Sequence, residues 1–128
     1  MRAMVCLITL LIVIGCVASM GKGMQAQTAA TTDGEKLFER RCGGCHAMDK
    51  DKEGPRLRSV YGRKAGSVQG YGYSAGLKQA QFSWDDERLD KWLTDTDALV
   101  TGNNMDFSVS KAEERAAIIA FLKSDAGR

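Results

Sequence analysis

The sequence predicts an all-α domain in which three main helices and long loops wrap around a centre that is not protein. Three observations carry this. No segment shows the period-2 alternation of a strand, while three segments pair a helix start signal with apolar residues at helical spacing. The stretches between them are long and either polar or rich in glycine, and such loops in a domain of roughly 100 residues need something else to pack against. The composition is that of a globular chain, 44% apolar and 27% charged, which excludes disorder and a strongly basic nucleic-acid binder. A length of 128 residues argues against a multidomain enzyme or a repeat array.

The first element precedes that domain. Arg2 supplies a positive start, and Val5 to Ile14 are apolar apart from Cys6 and Thr9, the layout of an export signal. The run falls short of the about 20 apolar residues a spanning helix needs. Val13-Ile14-Gly15-Cys16 resembles a bacterial lipobox, and residues 17–32 are a Ser, Gly, Gln, Ala and Thr-rich tether. Three outcomes fit these residues: lipidation and cleavage at Cys16, ordinary cleavage further on, for example after Ala26, or retention as an anchor. The chain accordingly divides into a leader or anchor over 1–26, a spacer over 27–32 and a domain over 33–128. That domain is expected outside the cytoplasmic membrane, periplasmic or tethered to the membrane through Cys16 or the apolar segment. Cys6 and Cys16 belong to the leader, so the domain keeps Cys42 and Cys45 and is not built on disulfides.

Thr32-Asp33-Gly34-Glu35 fits a capping box that starts the first helix at Thr32 or Asp33. Leu37, Phe38 and Arg41 continue it, and Cys42 falls at its end. Residues 47–60 are polar and hold the only proline, Pro55, after Gly54. Gly62, Gly66, Gly70, Gly72 and Gly76 then mark a wrapped loop whose backbone must approach something closely. Ser83-Trp84-Asp85-Asp86 starts the second helix, with Leu89, Trp92 and Leu93 as its apolar stripe. Residues 94–109 are irregular and carry Gly102, Asn103 and Asn104. Ser110-Lys111-Ala112-Glu113 is a second capping box opening the last helix, whose apolar face is Ile118, Phe121 and Leu122.

Cys42-Gly43-Gly44-Cys45-His46 is the c-type haem attachment pattern. Two thiols three residues apart near a helix end can each form a thioether to a haem vinyl group, and the adjacent histidine then ligates the iron. The centre implied by the long loops is therefore one covalently attached haem c, linked through Cys42 and Cys45. A thioredoxin-like pair would need a strand before it and a parallel sheet around it. A structural zinc site needs four ligands, where the domain has two Cys and one His. That single histidine also excludes bis-histidine ligation within the chain. Of the two methionines after Asp33, Met48 is too near His46 to reach the opposite haem face. Met105, in the irregular segment between two helices, is the candidate sixth ligand. His46 and Met105 are thus the expected iron ligands.

The segment from Gly34 to Lys123 resembles a class I c-type cytochrome, close to the mitochondrial type. The match runs in order through Cys42 to His46, Gly54-Pro55, Leu57, Tyr61-Gly62-Arg63-Lys64, Gly66, Gly70-Tyr71 with Tyr73, Trp84, the Leu89 helix, Gly102 before Met105-Asp106-Phe107, Glu114-Arg115-Ala116 and Phe121-Leu122. The resemblance implies the cytochrome c fold. It also implies that the Pro55 carbonyl accepts the His46 ring N–H, fixing its tautomer. Tyr73, Trp84 and Arg63 are implied to lie near a buried haem propionate. Gly34 and Phe38 are implied to pack on Phe121 and Leu122 where the first and last helices cross. Four departures stand out: Thr101 where the family has proline, Trp92 for a tyrosine that points at the ligand methionine, Leu77 for an asparagine that holds a buried water, and a shorter loop from His46 to Pro55. Thr101 is expected to leave the ligand loop less restrained.

A His/Met-ligated haem has no open iron site, so the expected function is single-electron transfer rather than enzyme catalysis. The expected partners are exported or membrane-bound redox proteins: a quinol-oxidising complex, a terminal oxidase or a dehydrogenase, with no nucleic acid. The competing readings are a haem peroxidase or ligand sensor with Met105 displaced, and a tethered subunit of a larger redox enzyme. Charge favours no strong steering. The formal charge of +2 comes from Arg2 and Lys22, and from Asp33 onward sixteen basic residues face sixteen acidic ones. The Met105 segment carries Asp95, Asp97 and Asp106, so a lysine-ringed docking face is not expected there.

Overall fold

The computed structural model describes residues 31 and 33–126. The leader over 1–26, the spacer to Ala30 and the Thr32 part of the first capping box lie outside the described residues. The described residues form helices and long irregular segments, with one isolated bridge between Lys64 and Ser83 and no other strand pairing. This is the all-α arrangement that the sequence predicts.

Among the described residues helix α1 covers residues 33–41, and Thr31 is helical too. It ends where the Cys42 and Gly43 amides both donate to the Phe38 carbonyl, at 2.7 and 3.0 Å. The chain then turns through residues 42–45. A short helix, α2 (Ala75–Gln79), begins at Ser74, whose hydroxyl accepts from the Leu77 amide. Helix α3 (Asp86–Thr94) has Asp85 at its N-cap, accepting from the Arg88 amide, and buries Leu89, Trp92 and Leu93. Asp95 ends α3 and caps α4 (Thr96–Leu99), accepting from the Asp97 and Ala98 amides. Helix α5 (Ala112–Asp125) buries Ile118, Ile119, Phe121, Leu122 and Asp125.

The second capping box does not form. Lys111 occupies the N-cap position and makes no side-chain cap. Tertiary contacts decide the start instead: Arg115 donates to the Val109 and Ser110 carbonyls, while Glu114 turns to Arg41 of α1 at 2.6 Å.

Helices α1 and α5 cross at Gly34. A Cβ built there would sit 2.1 Å from the Ala117 carbonyl oxygen, so no side chain fits between the two backbones. Beside the crossing, the Phe38 and Phe121 rings lie 5.4 Å apart and tilted by 47°. Helix α3 packs on α5, reinforced by Arg115 Nε to Asp90 at 2.7 Å. These elements form one side of the core. The long segments over 42–74 and 100–109 fold back toward it and enclose a cavity.

Candidate functional site

The cavity has a volume of about 460 Å³, within the about 300–1,000 Å³ usual for a ligand site. Its walls bring together every residue singled out from the sequence: Cys42, Cys45, His46, Pro55, Arg63, Tyr73, Trp84 and Met105. These come from the α1 end, three loop segments and the 100–109 segment, which meet only in the folded chain. Apolar walls are supplied by Phe38, Leu57, Leu77, Leu89, Trp92, Leu93, Phe107, Ile118 and Leu122.

His46 is 8% exposed. Its Nδ1 lies 2.8 Å from the Pro55 carbonyl oxygen. A carbonyl can only accept, so Nδ1 carries the hydrogen and Nε2 keeps its lone pair. Burial lowers the His46 pKa, against the Pro55 hydrogen bond that raises it, and the nearby Lys52 charge lowers it further. The ring is therefore the neutral imidazole that ligates metals. Gly54 completes the setting, because a Cβ at that position would fall on the imidazole itself. Glycine here is a requirement of close approach.

Cys42 is buried and Cys45 exposed. Burial pushes the Cys42 thiol up to about 11, partly offset by the Arg41 charge. The 42–45 turn places both on the same cavity wall as His46. Two thiols, an oriented neutral imidazole and a large apolar cavity fit a covalently held haem.

Arg63 is half-buried and donates to the Arg58 and Arg56 carbonyls at 2.8 and 3.0 Å. Burial lowers its pKa and the neighbouring Tyr73 raises it. The Tyr73 hydroxyl accepts from the Val68 amide, and burial raises its pKa. Phe82, Trp84 and Trp92 form an edge-to-face series, with centroids 5.0 and 5.4 Å apart. Trp92 thus packs on Trp84 as a cavity wall, and Leu77 lines the same space.

Four of the five glycines of the wrapped loop are explained in two ways. A Cβ on Gly66 would strike the Leu77 carbonyl and one on Gly76 the Thr101 carbonyl, so the loop packs tightly on α2 and on the Met105 segment. Gly62 and Gly70 instead take φ of +82°, the left-handed turn geometry. The expected close approach is real at two positions, and turn formation accounts for two others.

Several contacts near the site escaped sequence reasoning. The Tyr71 hydroxyl donates to the Glu53 carbonyl, joining two cavity-lining segments. Thr96 donates to the Met105 carbonyl, and Asn103 accepts from the Met105 amide. The Asn two residues before Met105 is a signal that local side-chain hydrogen bonding could have supplied. Asp125, 2% exposed, accepts from Arg58 at 2.7 Å and from the Ser59 amide at 3.0 Å. Nothing in α5's pattern announces that tie, because its partners are more than sixty residues away.

The chain matches the family model for cytochrome c over residues 31–125. It is 45% identical over 94 residues to cytochrome c of Euglena viridis, spanning 71% of this chain and 92% of that protein. It is 33% identical over 103 residues to cytochrome c of Nigella damascena, covering 77% and 93% respectively. Among solved structures, cytochrome cH from Methylobacterium extorquens superposes with a TM-score of 0.69 at 38% identity, over 73% of this chain and 97% of that one.

Proposed function

Since the chain belongs to the cytochrome c family, a family of haem-based electron carriers, we propose that its iron is held between His46 and Met105. Its partners on this reading are exported or membrane-bound respiratory redox proteins. The observation that carries the reading is that His46, locked by Pro55, and Met105, locked by Thr96 and Asn103, line one cavity with both thiols. Haem c, when bound, supplies a one-electron iron couple.

The chain's own residues set the conditions for that couple. The Pro55 carbonyl raises the basicity of the imidazole through its hydrogen bond. A thioether sulfur is a weak donor, and Met105 therefore favours the reduced metal more than a second imidazole would. The aromatic series and Leu57, Leu77 and Leu93 exclude water. Arg63 and Tyr73 offer hydrogen-bond donors and a positive charge to a propionate, with Trp84 beside them. With His46 and Met105 both serving as ligands, the bound group would offer a substrate no open position, and the chain would transfer electrons rather than catalyse a reaction. Arg41, Cys45, Glu53, Gly72, Asn104 and Asp106 are the exposed lining residues, and they mark the face on which a partner docks.

The leader directs the domain across the cytoplasmic membrane, where it works in the periplasm or tethered to the membrane. Mass spectrometry of the mature N-terminus reads the processing event, and an acylated Cys16 as residue one identifies the tether. The ferric absorption spectrum tests the ligation. A weak far-red band, lost in Met105→Ala, is the expected result; a high-spin spectrum overturns His/Met ligation.

A further inference from the structure

Thr101, in place of proline, suggested a slack loop ahead of Met105. The structure supplies restraint from another source, the turn that begins at Thr96. Asp95 caps this turn through the Asp97 and Ala98 amides, and the Val100 amide closes it on the Thr96 carbonyl at 3.0 Å. Thr96 is 4% exposed, and its hydroxyl donates to the Met105 carbonyl at 2.5 Å. At the other end of the turn, the Val100 carbonyl accepts from Asn103 Nδ2 at 2.9 Å. Asn103 Oδ1 accepts from the Met105 amide at 2.7 Å. Carbonyl and amide partners fix each direction, because the reversed Asn103 would set donor against donor and acceptor against acceptor.

Both polar groups of the Met105 backbone therefore return, through two side chains, to one turn. We propose that Thr96 and Asn103 are positioning residues for Met105, fixing the direction from which its side chain enters the cavity. They thereby oppose its displacement at high pH. The proposal rests on Met105 being an iron ligand. A loop anchored only at its ends would let residue 105 rotate about its own φ and ψ. Anchoring its amide and its carbonyl removes that freedom at the residue that matters. The short polar side chains of Thr96 and Asn103 suit this task, since each has few rotatable bonds to order.

The test is alkaline titration of the far-red band in the ferric holoprotein, with denaturant unfolding run on the same samples. Thr96→Val and Asn103→Leu each leave one Met105 backbone group unpartnered. The expected result is a midpoint lower by about one pH unit, a roughly tenfold change in the ligation equilibrium. Thr96→Ser keeps the hydroxyl and should titrate within about 0.3 unit of the unaltered protein. Asn103 is only half-buried, so its variant remains folded if Thr96→Val does not. Unchanged midpoints in variants whose denaturation midpoints fall would assign both hydrogen bonds to the fold and overturn the proposal. A missing band in the unaltered protein, read before any substitution, would instead overturn the ligation reading and this proposal with it.

Discussion

Replacing Gly34 by alanine sets two effects of opposite sign against each other. Inside an exposed helix the change would stabilise by about 1 kcal/mol, because glycine loses more backbone freedom on folding than any other residue. At the α1–α5 crossing the new methyl would lie 2.1 Å from the Ala117 carbonyl oxygen and 2.9 Å from Phe121 Cβ. The oxygen belongs to helix backbone and cannot swing aside, so the helices must separate by roughly 1 Å to restore van der Waals contact. A gap of that size forfeits about a quarter to a half of the dispersion energy across the interface. Phe38 and Phe121, 5% and 6% exposed, each contribute about 2–3 kcal/mol by burial. Losing a quarter to a half of that pair's contribution, with weaker packing of Leu122, costs about 2–3 kcal/mol, and the propensity gain returns about 1. The net expectation is a loss of about 1–2 kcal/mol. Denaturant unfolding of the holoprotein, followed by far-ultraviolet circular dichroism, should show a lower midpoint at unchanged slope. A Gly34→Ala protein as stable as the parent, or more so, would refute the steric account of the crossing.

Four other expectations follow from individual contacts. Asp125→Ala removes a buried carboxylate from the Ser59 amide, at a residue with φ of +53°, and should cost about 2 kcal/mol of unfolding free energy; a loss below about 0.5 would place the tie among inert surface pairs. Asp86 has its pKa lowered below the ordinary 3.8 by the Tyr61 hydroxyl and then by Lys123. A carboxylate held low when folded stabilises fully above 3.8 and loses that contribution as the pH falls through the folded value. Asp86→Asn should therefore flatten the acid limb of the stability curve below that pH, and an unchanged limb would show the cluster to be screened out. Thr101→Pro should raise the alkaline midpoint of the far-red band by a few tenths of a pH unit, since Val100 already has the extended φ of −139° that a following proline prefers; a lower midpoint would show that the loop needs a free residue there. The charged residues lining the cavity, Arg41, Glu53, Arg63 and Asp106, are two of each sign. Stopped-flow electron transfer should thus fall only shallowly with ionic strength, and a steep fall would reveal steering by charges elsewhere.

The legible parts of the sequence were those in which chemistry or periodicity is local. The attachment motif needs only five consecutive residues, and the α3 stripe of Leu89, Trp92 and Leu93 sits within one turn and a half. Pro55 and the propionate neighbours came through family resemblance, since nothing local says that Arg63 and Trp84 share a cavity. Helices α2 and α4 were not foreseen because five and four residues are too short for a hydrophobic period to register. Ser110 looked like a cap on local grounds, yet Arg115 and Glu114 answer to partners on other segments, and the helix starts one residue later. The clamp on Met105 was hidden for a related reason. Thr96 lies nine residues ahead of Met105, and only a closed turn brings its hydroxyl back to it.

The tie between Asp125 and the Ser59 amide also bears on how the molecule opens. Ser59 belongs to the irregular stretch that carries Pro55, a stretch that would ordinarily fluctuate and exchange its amide hydrogens early. Its amide is bonded to a carboxylate at the far end of α5, reached across 66 residues. Exchange of that amide requires the bond to Asp125 to open, so it is expected to report on the packing of α5 as well as on its own loop. The stretch presenting Pro55 to the imidazole is therefore anchored to α5 rather than left as a free loop. Opening of the stretch beside His46 is thereby tied to a helix at the other end of the domain.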